Sequence, residues 1–197
     1  MNHAMQGVDI TQAIRTRRTI KPEKMNGRII PEDIIVDLLS QADWAPTHGR
    51  TEPWRFVVIA PGRVKEFATR HAGLYKQHTD PTSFTPEKFN KLVMLGENTS
   101  HIIMAWMKRV PNHKVPAIEE IAATSAAIQN ILLTATAHGI ASFWSTGGLT
   151  HHPAMKEEFK LGEEDIILGF IYLGYSDEPF KEGSRMIPLS EKIEWIR

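Results

Sequence analysis

The chain has 197 residues, of which 42% are hydrophobic and 23% are charged, the composition of an ordinary globular protein with one sizeable core. Lys and Arg together number 23, as do Asp and Glu, so no net charge attracts nucleic acid or an anionic membrane surface. The absence of cysteine excludes a disulfide framework, a thiolate metal site and a thiol nucleophile.

No apolar run approaches the roughly 18 residues that span a bilayer, and the first residues lack the apolar core of a signal peptide. We therefore expect a cytoplasmic protein with no membrane segment. No repeat, low-complexity stretch or linker divides the sequence, so we expect a single domain over residues 1–197.

The first predicted helix follows a loose terminus at residues 1–8. Asp9 can cap this helix, and Ile10, Ala13 and Ile14 follow at helical spacing as its expected buried face. The helix therefore has to end within a few residues, because a basic stretch and a proline come next.

The basic stretch that follows the first helix is a candidate phosphate site. Its cationic members are Arg15, Arg17, Arg18 and Lys21. Guanidinium groups beside the hydroxyl of Thr19 can hold a phosphate monoester through charge-assisted hydrogen bonds. The alternative is a solvated basic turn with no ligand.

A second helix is predicted from Pro31, which suits the first helical position, to the residue before Pro46. Its apolar positions recur at helical spacing and are Ile34, Ile35, Leu38, Leu39 and Ala42. A polar loop between Pro46 and Pro53 then carries Thr47, His48, Arg50 and Glu52. Such a loop offers backbone donors and charged side chains but little apolar surface, so it suits a ligand better than a core.

Strands and helices alternate irregularly through the rest of the chain. We predict strands at residues 55–60, 102–107, 140–144 and 166–173, and helices at residues 63–77, 87–95, 117–138 and 153–159. Gly139 stands where a glycine commonly ends a helix, and His71 and His78 are expected to face solvent. The irregular order favours an α+β fold, with a central mixed or antiparallel sheet flanked by helices.

Two further stretches are candidates for ligand contacts. The turn after the third strand reads Trp144-Ser145-Thr146-Gly147-Gly148, and its glycines let backbone N–H groups approach a flat ligand. The alternative is an ordinary strand-to-helix turn. The tail over residues 175–197 has so few core residues that we expect it to lie on another surface, such as a neighbouring subunit. Its Lys181 and Arg185 could contact a phosphate. No histidine has metal-ligand spacing with a carboxylate, so no metal site is expected.

Taken together, these stretches resemble the nitroreductase family of FMN-dependent, NAD(P)H-using oxidoreductases. Arg17-Arg18-Thr19 matches the family's Arg-Arg/His-Ser/Thr signature, and residues 45–56 match in length its loop Ala-Pro-Ser-Ser-x-Asn-x-Gln-Pro-Trp-x-Phe. Residues 125–147 match its long helix, short strand and glycine turn, and residues 171–174 its final strand. The resemblance covers about residues 9 to 195. Residues 112–116 and the Trp144 turn look most like the small, minor nitroreductase branch.

The resemblance implies an α+β homodimer with two FMN molecules at the interface and a tail that extends onto the partner subunit. It implies cofactor contacts from Arg17, Arg18, Thr19, Lys21, Thr47, His48, Arg50, Trp144, Ser145, Thr146, Gly147, Lys181 and Arg185. The two arginines and Thr19 would hold the phosphate and ribityl chain, with Lys181 and Arg185 adding phosphate contacts. Lys21 would lie near the flavin pyrimidine and stabilise the reduced ring.

In the same family comparison, Trp144 and Ser145 would flank the flavin ring, and a backbone N–H of Thr146-Gly147 would face flavin N5. Thr47, His48 and Arg50 would reach the flavin of the partner subunit. The departures from the family pattern are Arg50, which replaces an Asn, and Glu52, which replaces a Gln. These two charges bear on the acceptor preference.

The mechanism that the resemblance implies is ping-pong. NAD(P)H delivers hydride to flavin N5 and leaves, and an electron-poor acceptor such as a nitroaromatic, quinone or activated alkene takes its place. No side chain is expected to act as a catalyst, and the acceptor's proton would come from water. The alternatives are an FMN-binding sensor or storage protein with negligible turnover, a flavin-modifying or dehalogenating relative, and a flavin-free structural protein.

Overall fold

The computed structural model describes residues 9–110, 114–179 and 182–197. The α-helices are α1 (Ile10–Thr16), α2 (Glu32–Ala42), α3 (Pro61–His78), α4 (Pro86–Met94), α5 (Ala117–Ala137) and α6 (Pro153–Glu158). The strands are β1 (Trp54–Ile59), β2 (His101–Met107), β3 (Ala141–Ser145) and β4 (Ile166–Gly174). The expected loop at residues 112–116 lies partly outside the described residues.

The four strands form one antiparallel sheet in the order β1-β2-β4-β3. The α+β class is therefore confirmed, and the sheet is antiparallel rather than mixed. Successive residues of central strand β2 enter opposite cores: Ile103 packs on the side of α5 and Met104 on the side of α3. Both residues are fully buried, which explains why this strand is a continuous apolar run in the sequence.

Helices cover both faces of the sheet. Helices α1, α2 and α5 lie on one face, where Leu38, Ile128 and Ile131 are fully buried. Helices α3, α4 and α6 lie on the other, where Val64 and Met155 enter the second core. None of the helices in the described ranges combines the length and the apolar character needed to cross a membrane.

Two predictions about buried faces are wrong, in opposite directions. On α1 only Ala13 is buried, whereas Ile10 and Ile14 are 60% and 54% exposed. The reason is that α1 packs on α5 through one narrow side and nothing in the described chain covers the rest. His71 was expected to face solvent but is 3% exposed, because it shares the inward face of α3 with Val64, seven residues earlier.

Candidate functional site

The basic segment (residues 17–21) lies along the edge strand of the sheet. After α1 the chain becomes extended, Thr19 forms a parallel bridge with Ser142 of β3, and the Ile20 N–H donates to the Ser142 carbonyl at 2.9 Å. Ser142 is itself 2% exposed, so this attachment point is well fixed. The Arg-Arg-Thr signature and the Trp144 turn, which are far apart in sequence, therefore lie on the same edge strand.

The Arg18 guanidinium contacts both the end of α1 and the tail. Its Nη1 donates to the carbonyls of Arg15 and Arg17, at 2.7 and 2.8 Å, and so satisfies acceptors at the end of α1. Gly183 of the tail packs on the same group, since a Cβ at that glycine would lie 2.6 Å from Arg18 Cζ. The tail thus crosses the basic segment two residues before the exposed Arg185. Lys181 lies outside the described residues.

A cleft of about 590 Å³ opens beside the basic segment, which is a size typical of small-molecule sites. Arg18, Thr19 and Lys21 line one side, and the end of α5 and the segment after β4 line the other. Two carboxylates also line the cleft, those of Glu23 and Glu178, and the Glu178 carboxylate lies 3.0 Å from the ammonium of Lys24. Guanidinium, ammonium and hydroxyl donors together suit an anionic ligand.

The β3 turn (residues 145–149) is held firmly at its start. The Trp144 Nε1–H donates to the Leu168 carbonyl at 2.9 Å, and the close approach requires glycine at residue 169, where a Cβ would lie 2.4 Å from Trp144 Nε1. Ser145 Oγ accepts from the Gly147 N–H at 3.2 Å. Thr146 and Gly147 are exposed at the tip of the turn, where a ligand can approach them.

The polar loop (residues 46–53) is fixed by its own side chains at the other end of α5. The His48 ring bonds to Glu119 in the first turn of α5, and Thr47 Oγ1 lies 2.9 Å from Thr51 Oγ1. The backbone is tightly coiled, with φ of 61° at Gly49 and 54° at Arg50. Thr47 and His48 therefore have partners within the chain, whereas the Arg50 side chain is exposed.

Two groups of predicted site residues, the polar loop and the basic segment, lie at opposite ends of α5. Helix α5 has 21 residues, so its two ends are roughly 30 Å apart. The polar loop adjoins the amino end, and the basic segment adjoins the carboxyl end through the cleft wall at Gly139. Within one chain the two groups cannot contact the same small ligand. Glu52 also lines a separate groove of about 510 Å³ between α2 and β1.

His71 lies near the site and is buried, contrary to the solvent-facing position that the sequence predicts. Its Nε2 accepts from the Leu149 N–H at 3.1 Å, directly behind the β3 turn. Burial lowers the pKa of His71 to about 4, so the ring is neutral at pH 7 and its proton sits on Nδ1. Its spacing from Val64, Phe67 and Leu74 on α3 was the signal that could have revealed the burial.

Another buried group supports the amino end of α5. Glu120 is fully buried and pairs with Arg109, whose Nη1 also donates to the Val115 carbonyl at 2.9 Å. This pair fixes the start of the helix that carries Glu119, and hence the contact with His48. Among the described residues, no cluster of His, Cys, Asp or Glu is arranged to hold a metal ion.

Comparison with known proteins gives the same family throughout. The profile of the Nitroreductase family matches residues 14–175. The Bacillus subtilis protein YfhC, provisionally named an NAD(P)H nitroreductase, is 29% identical over 182 residues, which cover 91% of this chain and 90% of that protein. The crystal structure of a nitroreductase-like family protein from Bacillus cereus is 27% identical, with a TM-score of 0.77 and 97% of each chain covered.

A crystal structure from Desulfovibrio desulfuricans, solved in complex with FMN, has the same fold. It is 20% identical, with a TM-score of 0.72, and the match covers 98% of this chain and 99% of that one. By fold and by family profile, the protein is a flavin-dependent oxidoreductase of the α+β class. More particularly, the chain belongs to the nitroreductase family.

Proposed function

We propose that the protein is an FMN-dependent oxidoreductase that takes reducing equivalents from NAD(P)H and passes them to an electron-poor acceptor, such as a nitroaromatic, a quinone or an activated alkene. The observation that carries the proposal is the attachment of the basic segment to β3 at Thr19 and Ser142. This attachment joins the Arg-Arg-Thr stretch to the edge strand that continues into the glycine turn, and a cleft of about 590 Å³ opens beside that stretch.

The donor set of the cleft fits FMN. A phosphate monoester carries two negative charges, and Arg18 and Thr19 of the cleft lining would hold it together with the adjacent Arg17. Arg185 and Lys181 of the tail, which do not line the cleft, would add further contacts. The packing of Gly183 on Arg18 supports this part of the proposal, because it brings the tail to the basic segment within the chain. When bound, FMN supplies the two-electron chemistry: it accepts hydride from NAD(P)H and passes the electrons to the acceptor.

The chain's own residues contribute orientation and charge. Lys21 places a positive charge at the cleft, where it favours the anionic form of a reduced flavin. The Trp144 indole is hydrogen-bonded to the Leu168 carbonyl and offers a fixed apolar flank, and the Thr146 N–H at the exposed tip of the β3 turn would face the flavin. No side chain in these elements is assigned as an acid, so the proton for the acceptor is left to water.

The separation of the two groups along α5 supports a homodimer. A twofold axis that pairs two α5 helices in opposite directions brings the polar loop of each chain to the basic segment of the other, and both sites become complete together. Thr47, His48 and Arg50 would then act on the partner's cofactor. Exposed apolar side chains supply surface for such an interface, among them Ile10, Ile14, Met186, Trp195 and Ile196.

The proposal is tested first by the absorbance spectrum of the purified protein. We expect a flavin spectrum as isolated or after incubation with FMN, bleaching when NADH or NADPH is added without oxygen, and recovery when an acceptor such as a quinone is added. Sedimentation velocity of the same sample is expected to give the mass of two chains. A protein that stays colourless after incubation with FMN would contradict the proposal.

A second candidate function is an FMN-binding sensor or storage protein with negligible turnover. The observation that favours it is Arg50, an exposed cation on the loop that would face the partner's acceptor site. Flavin that binds but bleaches only over hours with either nicotinamide would support this candidate. Bleaching within seconds, followed by multiple turnovers, would exclude it.

A further inference from the structure

His71 lies buried beneath the β3 turn, at the centre of an aromatic cluster. It is 3% exposed, and its ring centre is 5.9 Å from that of Phe67 on the same helix and 5.5 Å from that of Phe170 on β4. Helix α3, which carries it, has 18 residues and is anchored in the second core through Val64 and Leu74. The ring is therefore a rigid surface on which the turn rests.

The backbone of the β3 turn sits directly on this ring. Gly148 has φ of 67°, and a Cβ there would lie 2.3 Å from His71 Nε2 and 3.1 Å from a methyl group of Leu92. The next residue, Leu149, donates its N–H to the same Nε2 at 3.1 Å. The ring thus contacts two consecutive backbone units of the turn, one by packing and one by a hydrogen bond.

These contacts fix the far end of the turn, whose near end is fixed by the sheet. Ser145 is paired with Phe170 in the β3–β4 register, and Phe170 also touches the His71 ring. Between the two anchors, the Gly147 carbonyl accepts from Thr150 Oγ1 at 2.6 Å. Only the tip, Thr146 and Gly147, projects into solvent.

We propose that His71 is a positioning residue for the cofactor. By accepting the Leu149 N–H and supporting Gly148, it holds the Thr146–Gly147 backbone in the position that contact with the flavin ring requires. The residue acts through the turn and does not itself touch the ligand. This inference rests on the proposed FMN function. It gives a role in that function to a residue of α3, which lies on the sheet face opposite α5.

The ring keeps this role across the neutral range. The groups that contact it are Phe67 from α3, Phe170 from β4, Leu92 from α4, and the backbone of Gly148 and Leu149 in the turn, and none of them is charged. The neighbouring Arg70 on α3 is paired with Glu158 of α6. Burial alone therefore holds the pKa of His71 at about 4. Protonation would turn Nε2 into a donor that faces another donor.

The test compares His71→Gln with His71→Asn in the full-length protein. The Oε1 of Gln can take the place of Nε2, whereas Asn is one bond too short to reach the Leu149 N–H. We expect His71→Asn to weaken FMN binding by about tenfold and to speed hydrogen exchange of the Leu149 amide by a similar factor. His71→Gln is expected to stay within about threefold of the wild type in both measurements. The same two changes at the exposed His78 of α3 serve as controls.

Three results would overturn the inference. The first is FMN affinity in His71→Asn equal to that of the wild type. The second is an equal loss of affinity in both variants, since ring volume and not the hydrogen bond would then matter. The third is weaker FMN binding with unchanged exchange at Leu149. Wild-type protein that binds no FMN would overturn the proposed function as well, whereas normal FMN binding by His71→Asn overturns this inference alone.

Discussion

In the region of β3, the strand that follows α5, the candidate binding residues are held by backbone contacts: the Thr19–Ser142 bridge, the β3–β4 ladder and the Leu149 N–H on His71. At the amino end of α5, the polar loop is held by side-chain pairs at its surface, such as His48 with Glu119. One region is part of the sheet and its cores, and the other is an exposed loop with a strained backbone.

This difference indicates a division of labour between the two regions. Backbone contacts in a buried setting fix donors to a small tolerance, which a cofactor with one required orientation needs. Exposed side-chain pairs contribute little free energy to folding, so their residues can be substituted at little cost in stability. We therefore expect the region of β3 to control cofactor binding and stability, and the loop with Arg50 and Glu52 to control the choice of acceptor.

The largest effect on stability is expected at Gly148, in the region of β3. Gly148 and Gly139 have nearly the same φ, 67° and 68°, but an added Cβ meets His71 Nε2 at 2.3 Å in the first and nothing within 4 Å in the second. We expect Gly148→Ala to lower the free energy of unfolding by about 4 kcal/mol, from strain and overpacking together. Gly139→Ala, with strain alone, is expected to cost about 1 kcal/mol. Urea denaturation of both variants measures this, and equal losses would show that the turn does not rest on the ring.

The pH dependence of stability gives a second test of the region of β3, through the buried His71. As pH falls below the ordinary histidine pKa of 6.5, the unfolded chain takes up a proton that the native ring, with its pKa of about 4, does not. Stability is therefore greatest above pH 6.5 and falls by about 3 kcal/mol towards pH 4 through this group. The free energy of unfolding is measured for the wild type and for His71→Gln at pH 7.5 and 4.5. The difference between the two proteins gives the contribution of His71, because the carboxylates contribute equally to both. Parallel pH curves for the two proteins would contradict the prediction.

Cofactor affinity should depend strongly on the basic segment. We expect Arg17→Ala to weaken FMN binding by about 1 to 3 kcal/mol, the range for loss of a charge-assisted hydrogen bond. Arg63→Ala is the matched control, because Arg63 is an exposed arginine on α3 that pairs with Glu66 of the same helix. Fluorescence titration with FMN measures both variants. Unchanged affinity in Arg17→Ala would mean that the phosphate lies elsewhere.

The smallest change in stability is expected in the polar loop. Arg50 is exposed and has φ of 54°, a conformation that Asn adopts readily. Arg50→Asn should therefore leave the free energy of unfolding within about 0.5 kcal/mol of the wild type. It should change KM for the acceptor severalfold, while FMN affinity changes by less than in Arg17→Ala. A large loss of FMN affinity with an unchanged KM would reverse the roles assigned to the two regions.

Elements dominated by local rules could be predicted from the sequence. The end of α5 two residues before Gly139 follows from the left-handed conformation that glycine accepts, and the burial of β2 on both faces follows from its unbroken apolar run. Helix α3 begins at Pro61, two residues before the predicted start, because a proline in the first turn loses no hydrogen bond.

Features that depend on contacts distant in sequence could not be predicted in the same way. The exposure of Ile10 and Ile14 reflects how little of α1 meets α5, which spacing within α1 cannot reveal. The pairing of His48 with Glu119 joins residues 71 positions apart, and no local pattern predicts it. His71 is an intermediate case: the helical spacing was present in the sequence, but the partner, the Leu149 N–H, was visible only in the folded chain.

The length of α5 has a genetic consequence for a homodimer of the proposed kind. Each site would combine the basic segment of one chain with the polar loop of the other. A mixed dimer of one chain with a disabled basic segment and one with a disabled loop then contains one site with both defects and one site with none. Two inactive alleles of this gene would therefore complement each other, and coexpression would restore activity that neither allele has alone.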